Sequence, residues 1–156
     1  MAIGQAPLLK LAVELASISC GLGGLVAAGT CFHSSGAGKA LLAFRPAAEA
    51  RALMSELDLR GYTAKTITTL VRLEAALAEI RKQGFAVDDE EAEMGLRCVA
   101  AVVYNALAEP LAAISVSGLT SRVTDARLPE IGRVVREVAA ELTAALGGVT
   151  PVAKPA

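Results

Sequence analysis

Two neighbouring apolar segments in the second half of the chain constrain its fold most strongly. Residues 97–104 and 110–117 each have the length of a strand and are rich in Val, Ile and Ala. The five residues between them include an Asn and are followed by a Pro, so the pattern predicts an antiparallel hairpin. The period of two along a strand then places Ser115 and Ser117 on one face of the second strand and its Ile and Val residues on the other.

The residues around the hairpin predict a small polar pocket on the sheet. The two Ser hydroxyls need hydrogen-bond partners if their face is covered. Cys98 lies on the first strand, and the face that it occupies depends on the strand register, which the sequence leaves open. Residues 88–91, just before the hairpin, are four consecutive acids that repel one another unless they diverge into solvent or one meets a donor. This acidic run is more typical of a solvated turn than of a metal site.

A second candidate site lies in residues 33–39, which read HSSGAGK and lead into a predicted helix. Ser34 or Ser35 can cap this helix. The free N–H groups of its first turn, at the positive end of the helix dipole, then form a seat for an anion, and the two glycines let a ligand approach the backbone. The segment is not a P-loop, because the first Gly of that motif and its closing Ser or Thr are missing. Lys39 is expected to be a solvated helix residue.

Composition and charge argue against several classes of function. The net charge is −1 and the longest basic cluster is Arg81 with Lys82, so the chain on its own is not expected to bind nucleic acid. No apolar run has the length of a membrane span, and the first residues show no basic segment of an export signal. Three Cys, an odd number without paired spacing, are typical of the reducing cytoplasm. A cytoplasmic protein without membrane contact is therefore expected.

The rest of the sequence predicts helices around the hairpin. Apolar residues at helical spacing indicate helices at 6–17, 47–57, 70–84 and 128–146. Gly84 is expected to end the third of these, and Thr124 or Asp125 to cap the last, whose apolar stripe includes Val138. Residues 18–30 are apolar with four Gly and are compatible with a weak strand.

Three blocks of this sequence occur together in one known family. They are HSSGAGKALLAF at 33–44, GFAVDDEEAEMGLRCVAAVV at 84–103 and PLAAISVSGLTSRVTDARL at 110–128. In this order they resemble the effector-binding domain of IclR-type bacterial transcription regulators, over residues 33–148. The Gly-Ala-Gly, the Cys after Gly-Leu-Arg and the Ser-Val-Ser are most similar to the members of the family that respond to glyoxylate and pyruvate.

The resemblance implies a fold, a ligand and a set of contacts. The fold would be α+β, with a GAF-like antiparallel sheet flanked by helices. The domain would catalyse no reaction and would need no metal or cofactor. The ligand would be a small 2-oxo acid such as glyoxylate or pyruvate. The positions that match the ligand contacts of the family are Gly36, Ala37, Asp88, Cys98, Ser115 and Ser117. Asp88 stands out among them, because a carboxylate repels an anionic ligand unless it is protonated or accepts a hydrogen from a ligand hydroxyl or hydrate.

The resemblance also implies an organisation and partners. A homo-dimer or tetramer would transmit ligand binding to DNA through a winged helix-turn-helix domain. That domain normally precedes this one in the family and is absent from the sequence. A truncated piece of a longer protein is therefore expected. The family has two early strands before the His block, and the interval here is too short for both. We expect an N-terminal helix and a shortened strand region in 1–32, the effector-binding domain in 33–148 and a flexible tail in 149–156.

Two other classes of function are compatible with the residues alone. In a small cysteine-dependent or keto-acid-processing enzyme, Cys98 would be the nucleophile and His33 its base, although nothing in the spacing brings them together. Without the family, Cys98 is more typical of a small buried hydrophobe. Cys20, Cys31 and His33 show no paired metal-ligand spacing, so His33 is expected in a capping or core role. A dimerisation module with an empty core is the third alternative.

Overall fold

The structure is a computed structural model that describes residues 19–20 and 32–151. The helix predicted at 6–17, most of the segment 18–30 and the end of the tail lie outside these residues, as does Cys31. None of the described helices is long and apolar enough to cross a membrane.

An antiparallel sheet with the order β1-β4-β3-β2 forms the centre of the domain. Its strands are β1 (Ser19–Cys20), β2 (Ala86–Asp89), β3 (Leu96–Tyr104) and β4 (Pro110–Leu119). The predicted hairpin is confirmed, since β3 pairs with β4 directly. Asn105 closes it: the side-chain oxygen accepts hydrogen bonds of 2.9 Å from the backbone N–H groups of Leu107 and Glu109. This is the local bonding that favours Asn in turns.

Helices cover both faces of this sheet, so the α+β class predicted from the sequence is confirmed. The helices are α1 (Gly36–Phe44), α2 (Ala47–Ser55), α3 (Leu70–Gln83) and α4 (Leu128–Ala145). Helices α1 and α3 pack on one face through a core that includes Ala40, Leu73 and Ala100. Helix α4 packs on the other face, where Val135 and Val99 are buried in a second core.

The ends of two helices follow the sequence. Ser35 caps α1 by accepting a hydrogen bond from the N–H of Gly38 at 3.1 Å. Thr69 caps α3 in the same way, and α3 ends at Gly84, whose φ of 82° is the left-handed conformation that Gly adopts without strain.

The start of α4 differs from the prediction. A short 3₁₀ turn, Asp125–Arg127, precedes it, and neither Thr124 nor Asp125 provides a side-chain cap. The carboxylate of Asp125 instead lies 3.0 Å from the guanidinium of Arg97. The assignment of Val138 to the buried stripe is also wrong, because this residue is 38% exposed and the helix buries Ile131, Val135 and Ala139 at intervals of four.

Candidate functional site

The strand register places three of the predicted site residues side by side. Asp88 on β2 pairs with Cys98 on β3, and Cys98 pairs with Ser117 on β4. Ser115 lies two residues before Ser117 and pairs with Ala100, so it occupies the next row on the same face. This is the face that α1 and α3 cover. The register therefore determines what the sequence left open, namely that Cys98 shares a face with both Ser residues.

The N-terminus of α1 lies directly over this row. A Cβ atom at Gly36 would be 3.2 Å from the Cys98 sulfur and 3.5 Å from the Cβ of Ala100. A side chain at this position would be crowded against the strand, so Gly suits this close approach of the first turn. Ala37, the next residue, packs against Leu41 and Ala113. The helix start and the polar row thus form one small cluster of Gly36, Ala37, Asp88, Cys98, Ser115 and Ser117, which we call the Cys98 cluster.

Cys98 lies at the centre of the polar row, between Asp88 and Ser117 on the neighbouring strands, and is half-buried. Burial raises the pKa of the Cys98 thiol, and hydrogen bonds with the hydroxyls of Ser117 and Ser115 oppose this rise. The thiol is therefore protonated at neutral pH, and the hydroxyls find the partner that a covered polar face requires.

The protonated, enclosed thiol of Cys98 is expected to react slowly. We expect iodoacetamide to alkylate Cys98 at least about tenfold more slowly in the native protein than in the urea-unfolded chain, because the thiolate is the nucleophile and access is limited. A quenched time course with mass spectrometry of peptides resolves Cys98 from the other two cysteines. Equal rates in the native and unfolded states would indicate the open, ionised thiol that the enzyme alternative requires.

Asp88, which matches a ligand contact of the family, is buried, and the solvated turn expected for the rest of residues 88–91 is wrong at Glu91, which is also buried. The side chain of Asp88 is part of the turn, since Oδ1 accepts hydrogen bonds from the N–H groups of Glu91 at 2.8 Å and Ala92 at 3.3 Å. Only 6% of the residue is exposed. Burial raises the pKa of the Asp88 carboxyl, and the two backbone hydrogen bonds oppose this rise. Asp88 therefore orders the acidic turn and is also a member of the Cys98 cluster.

The expectation that Lys39 is solvated is wrong. This residue is 2% exposed, and its ammonium donates a 2.7 Å hydrogen bond to the carbonyl of Val87 and forms an ion pair with Glu91. The reason is the position of Lys39 on α1. Gly36, Ala40 and Ala43 form the buried face of the helix, and a residue three after Gly36 lies on that same face.

Glu91 is the second member of the ion pair and is also buried, with 7% of the residue exposed. Burial raises the pKa of the Glu91 carboxyl, while the charge of Lys39 and its hydrogen bond oppose this rise. Its Oε1 contacts Lys39, and its Oε2 has no hydrogen-bond partner in the part of the chain that the structure describes. A buried carboxylate oxygen without a donor is uncommon in proteins and requires an explanation.

The loop before α3 holds the acidic turn in place. Thr66 donates a hydrogen bond of 2.6 Å to the carbonyl of Glu91, and Thr63 donates one of 2.7 Å to the carbonyl of Glu90. Lys65 pairs with the carboxylate of Glu90. The signal in the sequence for this arrangement is the spacing of three between Thr63 and Thr66, which suits a local Ser/Thr turn.

His33 is in the core role that the sequence favoured. The residue is buried, its Nε2 lies 2.9 Å from the carbonyl oxygen of Arg60, and its ring stacks on Tyr62 at a centroid distance of 6.0 Å. These contacts direct the imidazole toward the loop after α2. No group of three or more potential metal ligands occurs among the described residues.

A groove of about 480 Å³ lies on the opposite face of the sheet, between β2 and the start of α4. Its apolar lining includes Phe85, Val87 and Leu128. The cations at its rim have partners, since Arg133 pairs with Glu137 and Arg136 donates to a backbone carbonyl. Gln83 and Asp125 also have partners, so the polar groups of this groove are bonded within the protein and the Cys98 cluster is the better candidate for a specific ligand site.

A known sequence family accounts for most of the chain. Residues 28–144 match the sequence model described as the C-terminal domain of the bacterial transcriptional regulator IclR. The chain belongs to the IclR family. It is 45% identical over 117 residues to the transcriptional repressor IclR of Escherichia coli K12, a match that covers 75% of this chain and 43% of that protein. The chain therefore spans less than half the length of this curated relative. IclR-family proteins are transcriptional regulators, and the family gives no support to the enzyme alternative.

Solved structures of IclR-family proteins share the fold. The Thermotoga maritima IclR structure superimposes with a TM-score of 0.72 at 35% identity, covering 74% of this chain and 47% of that chain. The inducer-binding domain of PobR from Acinetobacter, a double mutant in complex with 3-hydroxybenzoic acid, has a TM-score of 0.65 at 26% identity and covers 72% of this chain and 65% of that one. The resemblance inferred from the three sequence blocks is thus confirmed.

Proposed function

We propose that this chain senses a small carboxylate for an IclR-family repressor and that the ligand is a 2-oxo acid such as glyoxylate or pyruvate. The proposed contacts are those of the Cys98 cluster. The observation that carries the proposal is the convergence of the first turn of α1 with the two Ser hydroxyls over two adjacent rows on one face of the sheet.

The donors at the Cys98 cluster suit a carboxylate. Gly36 and Ala37 lie in the first turn of α1, where backbone N–H groups have no acceptor within the helix. The N–H of Gly38, in contrast, donates to the hydroxyl of Ser35. The positive end of the helix dipole adds to the attraction of the first-turn N–H groups for an anion. Ser115 and Ser117 contribute hydroxyls from the sheet below. Lys39 is bound to Val87 and Glu91, so the site relies on neutral donors rather than on a free cation.

The close approach of α1 to the sheet favours a ligand with few atoms. A Cβ atom added at Gly36 would lie 3.2 Å from the Cys98 sulfur, so little space separates the first turn of α1 from the sheet. The 3-hydroxybenzoic acid in the PobR structure is also a carboxylic acid, which supports this chemical class for the fold.

The proposed output is a change in assembly. A ligand that binds one dimer or tetramer arrangement more tightly than another shifts the population toward it. A winged helix-turn-helix domain of the complete protein would then change its position on DNA. In this proposal the domain acts through linkage alone and catalyses no reaction.

Isothermal titration with glyoxylate and with pyruvate tests the proposed site. We expect saturable binding between about −4 and −8 kcal/mol, that is, between millimolar and micromolar affinity. In the Ser115→Ala, Ser117→Ala double variant, affinity is expected to fall at least about a hundredfold, because two hydrogen bonds to a charged group are lost.

The control for this titration is Ser121→Ala, which removes an exposed hydroxyl in the loop after β4 and is expected to leave binding unchanged. Equal affinity in the double variant would place the ligand elsewhere. If neither acid gave heat or a thermal shift in the folded protein, the proposed ligand would be withdrawn and a dimerisation module with an empty core would be favoured.

A further inference from the structure

Asp88 of the Cys98 cluster and its buried neighbours Glu91 and Lys39 together contain more negative than positive charge. Asp88 and Glu91 are both more than nine-tenths buried, and the charge of Lys39 acts on both. Lys39 contacts one oxygen of Glu91, and the other oxygen has no donor among the described residues. Because a buried carboxylate oxygen without a donor is costly, this arrangement favours a proton on one of the two acids.

The other charged residues of the acidic turn are neutralised elsewhere. Asp89 and Arg97 alternate with Asp88 and Cys98 along their strands, so they pair on the opposite face of the sheet. Glu90 pairs with Lys65 from the loop before α3, and Lys65 also reaches Asp89. None of these groups compensates the buried pair.

Among the residues that the structure describes, Lys39 is the cation that acts on the two acids. Helix α1 has Lys39 as its one charged residue, and β4 has none. The sequence contains no Lys or Arg between Lys10 and Lys39. The ring nitrogen of His33 is bound to the carbonyl of Arg60. The fully ionised cluster would therefore carry two carboxylates and a single ammonium, with a net negative charge beside the proposed anion site.

We infer that binding of a carboxylate ligand at the Cys98 cluster takes up about one proton, which Asp88 and Glu91 hold between them. The inference rests on the proposed carboxylate site. Asp88, Glu91 and Lys39 together repel a neighbouring anion unless one of the two acids is protonated. The oxygen of Glu91 that has no donor can carry this proton. The protonated pair can also donate a hydrogen bond, which a carboxylate ligand accepts.

The pKa shifts of the two acids agree with this inference. Burial raises the pKa of both carboxyls, and the charge of Asp88 raises the pKa of Glu91 further. Lys39 opposes both shifts. The approach of a ligand carboxylate adds another negative charge and acts in the same direction as Asp88, so the pair gains a proton as the ligand binds.

The inference predicts that ligand affinity falls as pH rises. Glyoxylate and pyruvate are ionised throughout the neutral range, so the proton comes from solvent rather than from the ligand. Because the bound state holds more protons than the free state, the association constant is expected to fall about tenfold per pH unit above the pKa of the free pair. Below that pKa the pair is already protonated, and the affinity no longer changes.

Titration of this chain with glyoxylate in phosphate and in Tris, at the same pH and ionic strength, measures the proton uptake. The two buffers release a proton with different enthalpies, so the difference in observed heat gives the number of protons taken up on binding. We expect about one proton at pH 8 for the unchanged chain. Glu91→Gln keeps an oxygen for Lys39 and removes the titrating group, so its uptake is expected to fall to near zero and its affinity to become independent of pH. The control Glu93→Gln removes an exposed charge from the same turn and is expected to behave like the unchanged chain.

The outcomes separate this inference from the proposed function. Saturable binding with equal heats in both buffers would overturn the inference and leave the carboxylate site intact, and so would full uptake in folded Glu91→Gln. No saturable heat with glyoxylate or pyruvate would overturn the ligand and the inference together. If Glu91→Gln does not fold, the affinity of the unchanged chain is measured from pH 6 to pH 9 instead. A constant affinity contradicts the inference, and a decrease of about tenfold per pH unit within that range supports it.

Discussion

Lys39→Met is expected to destabilise the domain by about 3–5 kcal/mol at neutral pH. Methionine retains the apolar stem of the side chain but removes the ammonium that contacts Glu91 and Val87. The carboxylate of Glu91 is then buried without a cation. An uncompensated buried charge is the reason why removing one partner of a buried ion pair lowers stability so strongly. Urea unfolding followed by circular dichroism measures the change.

The deficit of Lys39→Met has a defined dependence on pH. Burial raises the pKa of Glu91 in the folded protein, and loss of the Lys39 charge raises it further. An acid whose pKa is higher in the folded than in the unfolded state destabilises the fold above the unfolded pKa, and this cost decreases as pH falls through the folded value. The difference from the unchanged chain is therefore expected to be largest near pH 8 and to decrease toward pH 5.

Two further variants test the origin of this deficit. Lys82→Met removes an exposed ammonium of α3 that pairs with Glu79, and its unfolding midpoint is expected to change little. The double variant Lys39→Met, Glu91→Leu replaces both charges and should recover much of the lost stability. If the double variant were as unstable as Lys39→Met alone, the loss would arise from packing of the side chain rather than from the stranded carboxylate.

Gly38→Ala is expected to have the second largest effect, a loss of about 3 kcal/mol. A Cβ atom at this position would lie 2.6 Å from the Cα and 2.7 Å from the carbonyl oxygen of Phe32. Both are backbone atoms, so no change of rotamer relieves the clash. The added methyl would also lie 2.8 Å from the hydroxyl of Ser35, which caps α1.

The clash at Gly38 outweighs the usual preference of helices for Ala, which is worth about 1 kcal/mol over Gly. Thermal unfolding measures the effect, with Gly61→Ala as the control. There the new Cβ would make an ordinary contact of 3.5 Å with Thr68, and stability is expected to stay within about 0.5 kcal/mol. A folded Gly38→Ala of unchanged stability would mean that the segment before α1 moves freely away from the helix.

Local patterns predicted much of the fold. The hairpin followed from two apolar runs and the Asn-containing turn, and the cap at Ser35 and the stop at Gly84 followed from residue types that act on their own neighbours. The prediction that Val138 belongs to the buried stripe was wrong, because apolar spacing alone does not show which side of a helix is buried most deeply. These outcomes differ because caps and turns are short-range, whereas the orientation of a helix depends on its tertiary partner.

The buried ion pair illustrates what the sequence did not predict. Lys39 and Glu91 are 52 residues apart, and they meet because α1 docks across β2. Each residue alone is typical of a solvated surface, and only the docked arrangement buries both. The face of Cys98 was likewise undetermined until the pairing with Asp88 and Ser117 fixed the register.

The alternation of side chains along β4 has a consequence for how such a sensor can change. Ser115 and Ser117 face the Cys98 cluster, whereas Ile114 and Val116 between them pack into the core beneath α4. If the Cys98 cluster is the proposed ligand site, substitutions at Ser115 and Ser117 would alter which molecule is recognised without disturbing the packing of that helix. Under the proposed function, one strand would then allow the chemical preference of the domain to diverge in evolution while its architecture is retained.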